Sequence, residues 1–183
     1  MKFLTTVLAR VIWCIATQGS QSTGQGMTTI VSKVLSSGTP TVLLWGEGNP
    51  DPQQHTCWKA VYGTPGPGTM IPLTLYGGWI QDTGKQTGKP KKEHAEIHVT
   101  LFTKGGKEIL KVEKQSHNAV GSLAEGEHTI LYASLTCFIL QSPSKNGGKP
   151  KCTAWVPADT AGHLHSACKR QFINLCDSCK QST

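Results

Sequence analysis

From Thr39 onward the chain is cut into eight short runs rich in β-branched and aromatic residues, each bounded by clusters of Gly, Pro, Asn or Lys. The runs are Thr41 to Glu47, His55 to Tyr62, Thr69 to Tyr76, Ala95 to Thr103, Glu108 to Glu113, His128 to Ser134, Thr136 to Gln141 and Cys152 to Pro157. No interval between them reads as a crossover helix, which parallel neighbours require, so the pattern predicts antiparallel strands. Turn chemistry agrees. Gly105-Gly106 sits between two runs as a two-residue hairpin connection, and Gly66-Pro67-Gly68 divides two others. Eight antiparallel strands in one chain build either a sandwich or a closed barrel, and a barrel of that size is wide enough to hold one small ligand. The strand pattern alone serves both.

At 183 residues the chain accommodates one domain with a sizeable core. Ahead of the strands, a Ser/Gln/Thr/Gly linker between Ser20 and Gly26 leads into Met27, Ile30, Val31, Val34 and Leu35, apolar at helical spacing. This predicts a short helix over Met27 to Leu35 that ends at Ser36-Ser37-Gly38. A second helix is predicted over Ser166 to Cys176, with Ala167, Phe172, Ile173 and Leu175 on its apolar side. The first residues run Met1-Lys2-Phe3, then an apolar stretch from Leu4 to Ala16, then Gln18-Gly19-Ser20, the order of a secretory leader. Arg10 interrupts the stretch, and an ordinary N-terminal helix is the competing reading. The organisation expected is a signal peptide over 1–20 and one domain over 21–183, exported as a soluble monomer. No other stretch approaches the ~18 apolar residues of a membrane span.

Cys14 lies in the leader, which leaves Cys57, Cys137, Cys152, Cys168, Cys176 and Cys179. An even set in a secreted chain reads as disulfides, whose pairing the spacing does not resolve. Zinc would require a second C-x-x-C to go with Cys176-Asp177-Ser178-Cys179, and the sequence holds none. His94, Glu96 and His98 share one strand face, which alone rarely completes a metal site. No metal or cofactor is expected. The formal charge of +7 falls to +5 when Lys2 and Arg10 leave with the leader. Much of the excess is Lys85, Lys89, Lys91 and Lys92, in a Gly/Pro/Lys loop without the interleaved aromatics of a nucleic-acid interface. Catalytic signatures such as Gly-x-Ser-x-Gly, His-Glu-x-x-His or a phosphate loop are missing from the sequence, so no enzymatic activity is expected.

The segment from Thr129 to Cys179 carries the most specific signal. Thr-Ile-Leu-Tyr-Ala-Ser-Leu-Thr-Cys-Phe-Ile-Leu is followed by a Gly/Lys loop, then Lys-Cys-Thr-Ala-Trp-Val-Pro, then Cys168-Lys-Arg-Gln-Phe172 and Leu175-Cys176. This resembles the C-terminal half of the tick salivary lipocalins, the histamine-binding-protein family. Cys57-Trp58-Lys59-Ala60-Val61 resembles that family's second-strand cysteine. The resemblance implies an all-β, eight-stranded antiparallel barrel of lipocalin type, with a short N-terminal helix and a C-terminal helix packed outside. It also implies pairing of Cys57 with Cys179, Cys137 with Cys168 and Cys152 with Cys176. Its functional implication is a secreted binder that sequesters a host mediator, either an amine such as histamine or serotonin or a lipid such as a leukotriene. The alternative is a module whose loops inhibit a host defence protein.

Candidate ligand contacts are the aromatics Trp45, Trp58, Tyr62, Tyr132 and Trp155, whose faces suit a cation or a ring. The run Ala95 to Phe102 divides into a face of Ala95, Ile97, Val99 and Leu101 and a face of Glu96, His98, Thr100 and Phe102. One of these faces the lumen, and Glu96 and His98 are candidate polar anchors if theirs does. The last candidate is Thr153. The family's fuller strand motif is Cys-Glu-Leu-Trp-Val, whose glutamate is among the amine-binding acids, and threonine stands at that place in Cys152-Thr153-Ala154-Trp155-Val156.

Overall fold

Along most strands, apolar residues recur at every second position, and the structure turns that period into an inside and an outside. The computed structural model describes residues 26–46, 58–64, 69–79, 91–143, 149–162 and 166–176. The expected leader and linker, and the Gly66-Pro67-Gly68 turn, lie outside them. Helix α1 (Met27–Leu35) precedes β1 (Thr41–Gly46), β2 (Lys59–Tyr62), β3 (Ile71–Trp79), β4 (Lys91–Lys104) and β5 (Lys107–Lys114). Then come α2 (Ala119–Ala124), β6 (Gly126–Ser134), β7 (Cys137–Ser142), β8 (Lys151–Pro157) and α3 (Ser166–Cys176). Each strand pairs antiparallel with its neighbour in sequence, and β1 pairs with β8 through Thr41↔Pro157, Val42↔Val156 and Leu43↔Trp155, closing an eight-stranded barrel. Gly105 and Gly106, both at positive φ (57° and 75°), form the β4–β5 connection, which strand twist favours in that conformation.

Both predicted helices form within the predicted bounds. The long strand β4 starts at Lys91 rather than Ala95, because β3 continues to Trp79 and pairs with it throughout.

The barrel core comes from the inward faces: Leu73 and Leu75 of β3, Ile97 and Val99 of β4, Leu110 and Val112 of β5, Ile130 of β6, Phe138 and Leu140 of β7. Val31, Val34 and Leu35 of α1 join the same cluster. These three spacings (i, i+3, i+4) place one stripe of α1 against the barrel end, and each side chain buried so contributes about 1.5–3 kcal/mol. The carboxylate of Glu108, at the start of β5, fixes the helix. It accepts from the Met27 backbone N–H at 2.8 Å and from the Thr28 hydroxyl at 3.3 Å, taking up N–H groups that a helix start leaves without partners. Helix α1 therefore closes the end at which β4 turns into β5.

Helix α2 was not foreseen from the sequence. Six residues, Ala-Val-Gly-Ser-Leu-Ala, are too few for a helical period to show. Its one local signal is Asn118, whose Oδ1 accepts from the Gly121 N–H at 2.9 Å as an N-cap while its Nδ2 donates to the His94 carbonyl at 2.7 Å. Gly121 permits the approach, since a Cβ there would meet the Ser116 carbonyl oxygen at 2.9 Å and Ala95 Cβ at 3.4 Å.

Helix α3 packs outside on β7 and β8. Strand β7 is buried on both faces for this reason: Phe138 and Leu140 point into the barrel, while Cys137 and Ile139 lie beneath α3. The Cys137–Cys168 disulfide links the wall to the helix, with Cα atoms 6.3 Å apart.

Replacing Glu108 by alanine removes the clamp on α1 and is expected to lower stability by about 1 kcal/mol, read as a shift in chemical denaturation midpoint without loss of the barrel's circular-dichroism signature. An unchanged midpoint would show that apolar packing alone holds α1.

Candidate functional site

The inward faces do not meet at the centre. Between α1 and α2 they leave a cavity of about 370 Å³, lined mainly by apolar side chains. Leu35 of α1 forms its floor, and Leu123 and Ala124 of α2 border the opposite end, together with His128, Ser142 and Lys151. Its walls carry Leu43, Ala60, Leu73, Leu75, Val99 and Phe138, among others.

Of the eight candidate ligand contacts, three line this space: Trp58, Thr153 and Trp155. The Trp155 indole N–H donates to the Thr153 hydroxyl at 3.2 Å, so the threonine orients the ring that faces the lumen. Tyr62 is on the inward side, opposite Leu73, and packs on the core without bordering the cavity. Glu96 and His98 face outward, opposite Thr74 and Pro72, because Ala95, Ile97 and Val99 occupy the core face of β4. Glu96 is exposed. Removing a carboxylate from water without a partner is costly, and on this strand the apolar alternative is complete. These two residues are therefore not lumen anchors.

Trp45 and Tyr132 also lie outside the lumen, and the cause in both is a bulge. Simple alternation would place Trp45 in phase with Thr41 and Leu43, and Tyr132 in phase with Ile130. The register shifts between Leu43 and Trp45 against β8, and between Ile130 and Tyr132 against β7. One extra residue reverses the facing of everything beyond it. Leu44-Trp45 and Leu131-Tyr132 consequently present successive side chains outward, where they pack beneath α3. Trp45 meets Phe172 there with ring centroids 5.7 Å apart. The same layer holds Cys152 and Cys176, both buried within one cluster with Ile139 and Ala154. Cys57 and Cys179 lie outside the described residues.

The polar lining includes residues that sequence reasoning passed over. His128 is buried on the inner wall, with Nε2 2.9 Å from the Ala124 carbonyl and Nδ1 3.0 Å from the Ser142 hydroxyl. A carbonyl only accepts, so Nε2 carries a proton, and in the neutral ring Nδ1 accepts from Ser142. His128 thus bolts the end of α2 to β6 and β7 at the cavity's edge. Alternation from Ile130 points to His128 once the inward face of β6 is known. Thr41, 2% exposed, lies near the floor at the start of β1. Among the described residues the lining holds no carboxylate, and Lys151 is the one there with a fixed charge.

A closed eight-stranded antiparallel barrel with an apolar chamber, one helix at its floor and another fastened outside by a disulfide defines a lipocalin of the ligand-binding kind. The model for the tick histamine binding protein family matches residues 86–183, just over half of the chain, and the chain belongs to that family. Among solved structures, japanin from Rhipicephalus appendiculatus, bound to cholesterol, superimposes with a TM-score of 0.60 at 14% identity, covering 76% of this chain and 87% of japanin. That likeness concerns the fold. No curated protein matches the chain.

Two outcomes follow from this geometry. Ala60→Phe should fill the lumen and abolish uptake of any small ligand while the barrel still folds, measured by displacement of a fluorescent apolar probe; retained uptake would place the ligand elsewhere. Peptide mapping without reduction should recover Cys152 joined to Cys176 as well as Cys137 joined to Cys168. Each bridge is expected to contribute about 2–4 kcal/mol.

Proposed function

We propose that the protein is a secreted salivary lipocalin that sequesters a small host mediator, and that the mediator is a lipid-like or acidic amphiphile rather than a biogenic amine. The charge of the lining carries this reading. An ammonium taken from water needs a charged partner or its desolvation goes uncompensated, and among the described residues no Asp or Glu lines the cavity. Thr153 occupies the inward position at which the amine-binding relatives hold glutamate, and its hydroxyl is engaged by Trp155. Lys151 at the edge suits an acidic head, and the apolar wall suits a hydrocarbon body. An open apolar lumen, rather than one filled by tryptophans, favours uptake over mere display of loops. Japanin's cholesterol offers a precedent for an apolar occupant in a barrel of this fold. Export is supported by the leader-like N-terminus and by the Cys137–Cys168 bridge, which persists in oxidising compartments.

Calorimetric titration with histamine, serotonin, a leukotriene and palmitic acid tests the proposal. The acids are expected to bind and the amines to bind weakly, whereas nanomolar histamine affinity in the unaltered protein would overturn it. Because a hydrogen bond to a charged group is worth about 1.5–3 kcal/mol, Thr153→Glu should tighten amine binding roughly ten- to a hundredfold. Lys151→Gln should weaken palmitic acid severalfold, with a reduced dependence on salt.

A further inference from the structure

Among the described residues, Thr41 is the most deeply buried polar side chain on the cavity wall. It begins β1, faces inward in phase with Leu43, and pairs across the sheet with the lumen-facing Ala60. Its hydroxyl has no hydrogen-bond partner among the described residues, in contrast to the other inner-wall groups, since Thr153 accepts from Trp155 and Ser142 meets His128. A buried hydroxyl without a partner is a standing cost, and native structures rarely keep one without a use. The position also matters. Thr41 sits near Leu35 at the floor and pairs with Pro157 at the far end of β8, while Lys151 begins β8 at the other edge. Six residue steps of β8 lie between Lys151 and Pro157, about 20 Å along the strand. Between them the wall is almost wholly apolar.

We propose that Thr41 is a specificity-determining hydrogen-bond site at the floor of the lumen, selecting apolar ligands whose leading end carries a hydroxyl or carbonyl oxygen over those that end in a bare hydrocarbon. This rests on the lipid reading above and adds a second polar contact at the opposite end from Lys151. A ligand ending in a methyl group seals Thr41 away from water and leaves its hydroxyl with no partner. A ligand ending in a hydroxyl satisfies it, and its own polar end is satisfied in return. Selection therefore arises from both sides of one contact, which is how a buried polar group rejects the analogue that lacks the matching group.

The test compares palmitic acid with omega-hydroxypalmitic acid in displacement of a fluorescent apolar probe, using the wild type, Thr41→Val and Thr41→Ser. The wild type is expected to favour the hydroxylated acid. Thr41→Val, which keeps the shape and removes the hydroxyl, should weaken the hydroxylated acid about tenfold while leaving palmitic acid unchanged or tighter. Thr41→Ser should restore the preference. Should the valine variant fail to fold, the wild-type and serine preferences still decide. Equal affinity for both acids in the wild type would overturn the role of Thr41 while leaving the lipid reading intact. Displacement by neither acid would overturn both.

Discussion

The ladder between β1 and β8 takes up the last two unpaired strand edges of the sheet, and most other features of the molecule follow from it. Closure fixes which residues face the lumen, because one register around the ring sets the facing of every strand. It also decides that the sheet must hold its interior with side chains from all eight strands, which here leave a chamber. The open ends of the barrel are then covered by helices, α1 against the floor and α2 across part of the other end. Each is tied down by side chains from the strands, Glu108 holding α1, and His128 and Lys114 holding α2 and its C-cap.

The outer layer beneath α3 depends on the same closure in a less direct way. The two bulged strands, β1 and β6, flank the β7–β8 pair, and each bulge turns a bulky pair of residues outward beside it. These four side chains, with Ile139 and Ala154, make an apolar floor on what would otherwise be a solvated wall. A helix with only a modest apolar stripe docks there because the wall supplies much of the apolar surface and the Cys137–Cys168 bridge holds the register.

How much of this is legible in the sequence depends on range. Antiparallel strands, both terminal helices and the Gly105-Gly106 hairpin come from local signals, namely period-two alternation, helical spacing and turn residues. Barrel rather than sandwich is not local: the resemblance in the last third of the chain implies it, and the β1–β8 ladder shows it. The candidate site was only partly legible. Alternation assigns Trp58, Ala60 and Leu43 to one side but misassigns Trp45 and Tyr132, since a bulge leaves no residue signature in Leu44-Trp45 or Leu131-Tyr132. For Glu96 and His98 the sequence posed a choice between two faces, and the structure resolved it by giving the core to the fully apolar one.

The polar residues that matter in the chamber are those the strand pattern hides. Thr41, His128 and Ser142 stand at strand ends, where alternation has barely begun or is running out, so they are read as inward only once the inward face of their strand is known. Strand ends are also where a barrel meets its floor and its mouth, so polar groups placed there contact the two ends of an occupant while the apolar middle of each strand contacts its body. A chamber built in this way discriminates little along its walls, where any hydrocarbon of suitable breadth fits. It discriminates at its ends, through Lys151 on one side and Thr41 on the other, and the distance between those groups sets the length of molecule able to satisfy both.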